Sequence, residues 1–149
     1  MGAKVLFVCT GNTCRSPMAE YLAREIFGAE LEISSAGLWA WEGQAASAQA
    51  IRVLQASGID LRPHRARRVS GAILAAADYV IPMTREHERS LCEQFPEMRD
   101  KVKRLGAWAG SDEDIPDPVG APIGVYRECM EKMRELLFRM KEDRTNVSF

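Results

Sequence analysis

Short apolar runs alternate with helical patterns along this chain, and that alternation limits its fold more than any other feature. Lys4 to Val8 is an apolar run bounded by turn residues, which predicts a short buried strand. Pro17 to Phe27 then predicts a helix, with Ser16 as its N-cap and Pro17 at the first helical position. Leu31 to Ala36 predicts a second strand, closed by Gly37. Ser47 to Ala56 predicts a helix with Ile51 and Leu54 on its inner face and Gly58 just past its end. Gly71 to Ala77 predicts a short helix, and Asp78 to Met83 a third strand. Thr84 caps a helix through Glu93, and Val102 to Leu105 predicts a fourth short strand. Residues 106–121 carry Gly, Pro and acidic residues and predict a loop. The final helix is predicted from Pro122 to Lys141, where Tyr126, Cys129, Met130, Met133, Leu137 and Met140 form one apolar stripe.

Strands that alternate with helices favour a parallel sheet covered on both faces. The expected fold class is therefore α/β, as a single domain over residues 1–149. Ligands of such sheets bind beyond the carboxyl ends of the strands. Cys9 sits at that end of the first strand.

The segment Cys9-Thr10-Gly11-Asn12-Thr13-Cys14-Arg15-Ser16 joins this strand to a helix N-terminus. Such a terminus offers free N–H groups and partial positive charge, so it attracts phosphate. A loop curled over it aims further N–H groups at one point. Gly11 permits the turn and Asn12 tolerates left-handed geometry. Arg15 adds a planar fork matched to two phosphate oxygens. Cys9 beneath that positive point is expected to be a thiolate nucleophile, with charge on the equatorial oxygens stabilised by Arg15 and the loop. The whole run, Thr10, Gly11, Asn12, Thr13, Cys14, Arg15 and Ser16, is the expected phosphate-binding segment. Its curl also predicts a reversible Cys9–Cys14 disulfide on oxidation. The pattern is not that of a nucleotide P-loop, because it lacks the second Gly and the Lys before Ser16.

Thiolate attack needs a proton donor for the leaving group. The acidic run Asp112-Glu113-Asp114-Ile115-Pro116-Asp117-Pro118 supplies candidates. Asp117 stands between two prolines that restrict its backbone; Asp114 is its competitor.

Bulk properties narrow the partners. A net charge of −1 gives no electrostatic reason to expect nucleic acid or an anionic membrane. The apolar run at Met1 to Val8 is too short for a signal peptide, and no apolar stretch is long enough to span a bilayer. The expected location is cytoplasmic. Asn146-Val147-Ser148 fits a glycosylation acceptor, which carries no meaning without an export signal. The C-x4-C spacing of Cys9 and Cys14 has no second Cys/His pair, and His64 and His87 are isolated, so no metal is expected.

The segment from Val5 through Cys9 and Arg15 to Glu20 closely resembles the N-terminal signature of the low-molecular-weight protein tyrosine phosphatase family. Ser34-Ser35-Ala36-Gly37, His64-Arg65-Ala66-Arg67, Ala76-Ala77-Asp78-Tyr79-Val80 through Met83, and Asp117-Pro118 recur in that family's order. The resemblance covers nearly the whole chain. It implies a four-stranded parallel sheet with helices on both faces. It implies Cys9 as nucleophile, Arg15 as phosphate ligand and Asp117 as general acid, then base. It also implies a network of Asn12, Ser16, Ser35 and His64 that holds the loop, and it needs no cofactor.

Thr13 departs from the aliphatic residue usual in the tyrosine phosphatases, and the loop resembles the bacterial protein arginine phosphatase branch. A β-branched hydroxyl keeps the shape and adds a polar contact suited to a guanidinium. Asp117 would then also pair with the substrate guanidinium. The expected function is removal of phosphate from phosphoarginine in protein substrates, by a monomer. The alternatives are a plain tyrosine phosphatase, an arsenate reductase on the same fold, and a non-catalytic phosphate-binding module. The reductase needs extra thiols, and Cys92 and Cys129 are far apart in sequence. Trp39 and Trp41 follow the second strand, where they could wall the pocket, pack in the core or form a surface turn.

Overall fold

The structure, a computed structural model, describes residues 2–143. The Asn146-Val147-Ser148 pattern lies outside the described residues. Strands β1 (Ala3–Cys9), β2 (Leu31–Gly37) and β3 (Tyr79–Pro82) form a parallel sheet in the order β2-β1-β3. Helices α1 (Arg15–Phe27), α2 (Ala48–Gln55), α3 (Gly71–Ala76), α4 (Arg85–Gln94), α5 (Leu105–Trp108) and α6 (Ile123–Asp143) surround it.

The period-two alternation of a strand sends β1 side chains to both faces. Val5 and Phe7 pack with Met18, Leu22 and Leu54 and with the stripe of α6. Leu6 and Val8 pack on the other face with Leu74 of α3 and Leu91 of α4. A strand buried on both sides needs the continuous apolar run seen in the sequence. The α6 stripe is buried as expected, from Tyr126 to Met140, and Leu136 joins it. In α2, Leu54 faces inward with Ala50 and Val53, whereas Ile51 is half-buried.

Two expectations need correction. Among the described residues the sheet has three strands, not four. Val102 makes one parallel bridge to Val80, and the Lys103 N–H donates to the Val80 carbonyl at 3.0 Å. A 3-10 helix over Pro96–Lys101 ends just before this point, and α5 starts at Leu105. The extended segment between them is too short to form a ladder. Second, α1 begins at Arg15, so Ser16 lies inside its first turn and is not the cap. The Ser16 hydroxyl is instead buried in a polar network. Ser47 and Thr84 do cap, accepting from Ala50 N–H at 3.2 Å and His87 N–H at 3.1 Å.

Among the described residues, no helix is long and apolar enough to cross a membrane.

Candidate active site

The register Cys9↔Gly37 and the Met83 N–H bond to the Val8 carbonyl at 3.0 Å bring the ends of all three strands to one edge. Between β1 and α1 the chain folds back over β2. The Leu38 and Trp39 N–H groups donate to the carbonyls of Cys9 and Thr10, each at 2.9 Å. A Cβ on Gly37 would lie 2.7 Å from the Thr10 oxygen and 2.8 Å from the Asn12 nitrogen, so only glycine lets the loop pack here.

Among the described residues, Asn12 is the non-glycine residue with positive φ, at 57°. Its side chain repays that strain with three hydrogen bonds. The amide Nδ2 donates to Ser16 Oγ at 2.8 Å and to Ser35 Oγ at 2.9 Å, and Oδ1 accepts from the Arg67 N–H at 3.0 Å. His64 Nε2 lies 2.8 Å from the Asn12 carbonyl. A carbonyl only accepts, so the His64 proton is on Nε2. The network continues inward: Ser35 Oγ donates to Glu20 Oε1 at 2.5 Å, and Glu20 pairs with Arg24. It ends at the sulfur of Cys9. Ser16 Oγ stands 2.9 Å from Cys9 Sγ, and the Ser16 N–H donates to the same sulfur at 3.4 Å.

Gly11 is not at positive φ, and a Cβ there would meet only Thr13 Oγ1 at 3.6 Å. The left-handed turn expected of the Gly-Asn pair is therefore made by Asn12. Gly11 serves as a wall of the cavity instead.

That cavity measures about 150 Å³ and is lined by Cys9, Thr10, Gly11, Thr13, Cys14, Arg15, Asp117 and Val119. Asn12 and Ser16 are fully buried behind it. Arg15 is buried too; its Nη1 donates to the Ile115 carbonyl at 3.0 Å, which aims the guanidinium. Asp114 is engaged elsewhere, accepting from the Arg85 N–H at 3.2 Å and pairing with Arg104 at 3.5 Å. Asp117 is the carboxylate that faces the cavity.

The sequence model described as low molecular weight phosphotyrosine protein phosphatase matches residues 4–145. The chain belongs to this family. It is 41% identical to a protein-arginine-phosphatase of Geobacillus stearothermophilus, over 95% of this chain and 96% of that one. It is 42% identical to the low molecular weight protein-tyrosine-phosphatase Wzb of Salmonella typhi, over 77% and 76% of the two chains. A solved YwlE arginine phosphatase, a Cys-to-Ser mutant with a phosphorylated active-site serine, superposes with a TM-score of 0.91 at 34% identity and 97% coverage of both chains.

Within this phosphatase fold, Cys129 on α6 and Cys92 on α4 sit in helices on opposite faces of the sheet. Burial pushes the Cys129 thiol up to about 12. The two cannot form one thiol relay to Cys9. The Cys14 Sγ stands 3.4 Å from Ser47 Oγ and 3.6 Å from Tyr126 OH. Among the described residues no cluster of His, Cys, Asp or Glu has the makings of a metal site.

Sequence reasoning missed Gly37, Glu20 and His87. Gly37 read as a strand terminator, and its contact with the phosphatase loop follows only from strand register. His87 is buried, and its Nε2 lies 2.9 Å from Thr10 Oγ1. The Thr84 cap three residues earlier was the one signal that fixed its place. Trp39 and Trp41 are exposed surface residues, and Arg68 stacks over Trp39 at 5.0 Å. Trp39 lines a wider cleft of about 510 Å³ that adjoins the cavity at Thr10, Arg15 and Asp117.

Proposed function

We propose that this chain is a single-domain protein phosphatase, residues 1–149, that hydrolyses phosphoarginine in protein substrates. The observation that carries the reading is that Cys9, Arg15 and Asp117, distant in sequence, line one small cavity. Cys9 attacks phosphorus as the thiolate, forming the S–P bond as the N–P bond breaks. Asp117 donates a proton to the departing guanidino nitrogen. It then takes a proton from water, which attacks phosphorus and breaks the S–P bond. Inorganic phosphate leaves and Cys9 is restored. Arg15 and the loop hold the equatorial oxygens throughout. Ser16 Oγ beside the sulfur stabilises Cys9 as the leaving group. Every proton and oxygen transferred in this cycle comes from Asp117 or water.

Thr13 supports phosphoarginine over phosphotyrosine. Its hydroxyl borders the cavity, and its hydrogen-bonding neighbour is the Cys14 sulfur at 3.8 Å, a weak contact. That leaves it able to accept from a guanidinium N–H. The enzyme is proposed to act as a cytoplasmic monomer, without nucleic acid or membrane partners.

A parallel assay on phosphoarginine, phosphotyrosine and phosphoserine proteins tests this, with Cys9→Ser alongside. Phosphoarginine should turn over fastest, and Cys9→Ser should bind vanadate without turnover. Preference for phosphotyrosine would return the chain to a plain tyrosine phosphatase. Oxyanion binding without turnover of any substrate would make it a binding module. Activity in Cys9→Ser would overturn the mechanism.

A further inference from the structure

The phosphate loop is tied on its Asn12 side by His64, Ser35 and Arg67. Its opposite side is Thr10, the first residue after Cys9, which is exposed and lies outside that network. The Thr10 carbonyl is held by the Trp39 N–H at 2.9 Å. Its hydroxyl is met by His87, at 2.9 Å from Nε2. The His87 ring is only 6% exposed, and its Nδ1 is buried without a hydrogen-bond partner. The ring therefore makes its one polar contact with the loop.

We propose that His87 is a positioning residue for dephosphorylation, its hydrogen bond to the Thr10 hydroxyl holding the first turn of the phosphate loop in the shape the transition state requires. The proposal rests on the phosphatase reading of that loop. The architecture places the ring with little freedom. Parallel pairing of β3 with β1 ends beside Cys9, and Thr84 then starts α4 at the strand ends. The Thr84 hydroxyl accepts from the His87 N–H at 3.1 Å, fixing the turn that carries the imidazole. Thr10 is thus tied by backbone to β2 and by side chain to α4. Two such ties fix a loop backbone better than one, and misplacement of loop donors by about 1 Å can cost a large factor in rate.

The charge state suits the role. Burial, and then the nearby Arg15, push the His87 ring down to about 4, while Asp117 and Asp114 oppose that shift. The ring is neutral at physiological pH, so it can hold Thr10 without setting a second cation beside Arg15.

The experiment compares His87→Gln, His87→Asn, Thr10→Val and the double variant His87→Asn/Thr10→Val. Each is measured for kcat and KM on a phosphoprotein and an aryl phosphate, vanadate affinity and thermal stability. A glutamine amide can reach the place of Nε2, whereas asparagine matches only Nδ1. Loss of one neutral hydrogen bond should lower kcat and vanadate affinity by about 5- to 10-fold in His87→Asn and in Thr10→Val. KM should change little, the double variant should lose no more than either single one, and His87→Gln should recover most of the loss. If His87→Gln falls as far as His87→Asn, or if the two single losses multiply, His87 is only a packing residue. The vanadate measurement keeps this separate from the phosphatase reading. A wild-type protein without turnover on any substrate defeats that reading, while unchanged vanadate affinity in His87→Asn defeats this one.

Discussion

Arg15 Nη2 and Asp117 Oδ2 stand 3.8 Å apart across the cavity mouth, the arginine side chain buried and the aspartate half exposed. The proposed clamp and the proposed acid are thus in contact across the cavity. In the proposed cycle an incoming phosphoryl group would compete with Asp117 for Arg15 and free the carboxyl group to act on the leaving atom. The Val119 N–H, donating to Asp117 Oδ1 at 3.0 Å, keeps the side chain at that rim.

Asp117→Asn should therefore slow poor leaving groups far more than good ones, because protonation matters most for the former. On phosphoarginine it should also raise KM, through the lost guanidinium pair. Rates across a series of aryl phosphates check this. A steep leaving-group dependence in Asp114→Asn instead would move the acid to Asp114, against its engagement with Arg85 and Arg104.

Thr13→Ile keeps the β-branch, so the loop should still form. It removes the hydroxyl that borders the cavity. Phosphoarginine turnover should fall by a transition-state loss of about 1–3 kcal/mol, while phosphotyrosine turnover is retained or rises. The measurement is kcat/KM on both substrates for both proteins. An unchanged ratio would show that Thr13 is not the selector.

Cys14 is a free, buried thiol that contacts Ser47 and Tyr126 and lines the same cavity as Cys9. Forming a Cys9–Cys14 disulfide takes the Cys14 sulfur from those partners. Peroxide should inactivate the enzyme reversibly, and Cys14→Ser should lose recovery by reductant, because oxidised Cys9 has no second thiol in the loop to trap it. Equal recovery in both proteins would leave Cys14 a structural residue.

His87 predicts a pH effect on stability. Its folded value of about 4 lies below the ordinary 6.5, so between these pH values the unfolded chain binds a proton that the folded one does not. Its contribution is fully present above 6.5 and is lost as pH falls toward 4. The slope is at most ~1.4 kcal/mol per pH unit for one proton. Denaturant unfolding from pH 7 to 4 should show a flatter decline in His87→Gln than in the parent protein. Parallel curves would mean that the His87 ring is protonated in the folded state.

Features set by neighbours along the chain are legible before any fold is known. The apolar run before Cys9 specifies a strand buried on both faces. The stripe from Tyr126 to Met140 specifies the inner face of α6. The Cys9-to-Ser16 segment brings the proposed nucleophile, a turn former and the proposed phosphate ligand within one loop, so the proposed chemistry is legible without a fold. Whatever depends on register between distant segments emerges only on folding. Folding set Gly37 against the loop, engaged Asp114 with arginines and left Asp117 facing the cavity. It took Ser16 out of the helix cap, leaving it the expected neighbour of the Cys9 sulfur, and it reduced the expected fourth strand to a bridge at Val102. It also brought His87 to Thr10. Side-chain spacing encodes backbone geometry over a few residues, but a contact between residues far apart in the chain exists only once parallel pairing has aligned the strand ends.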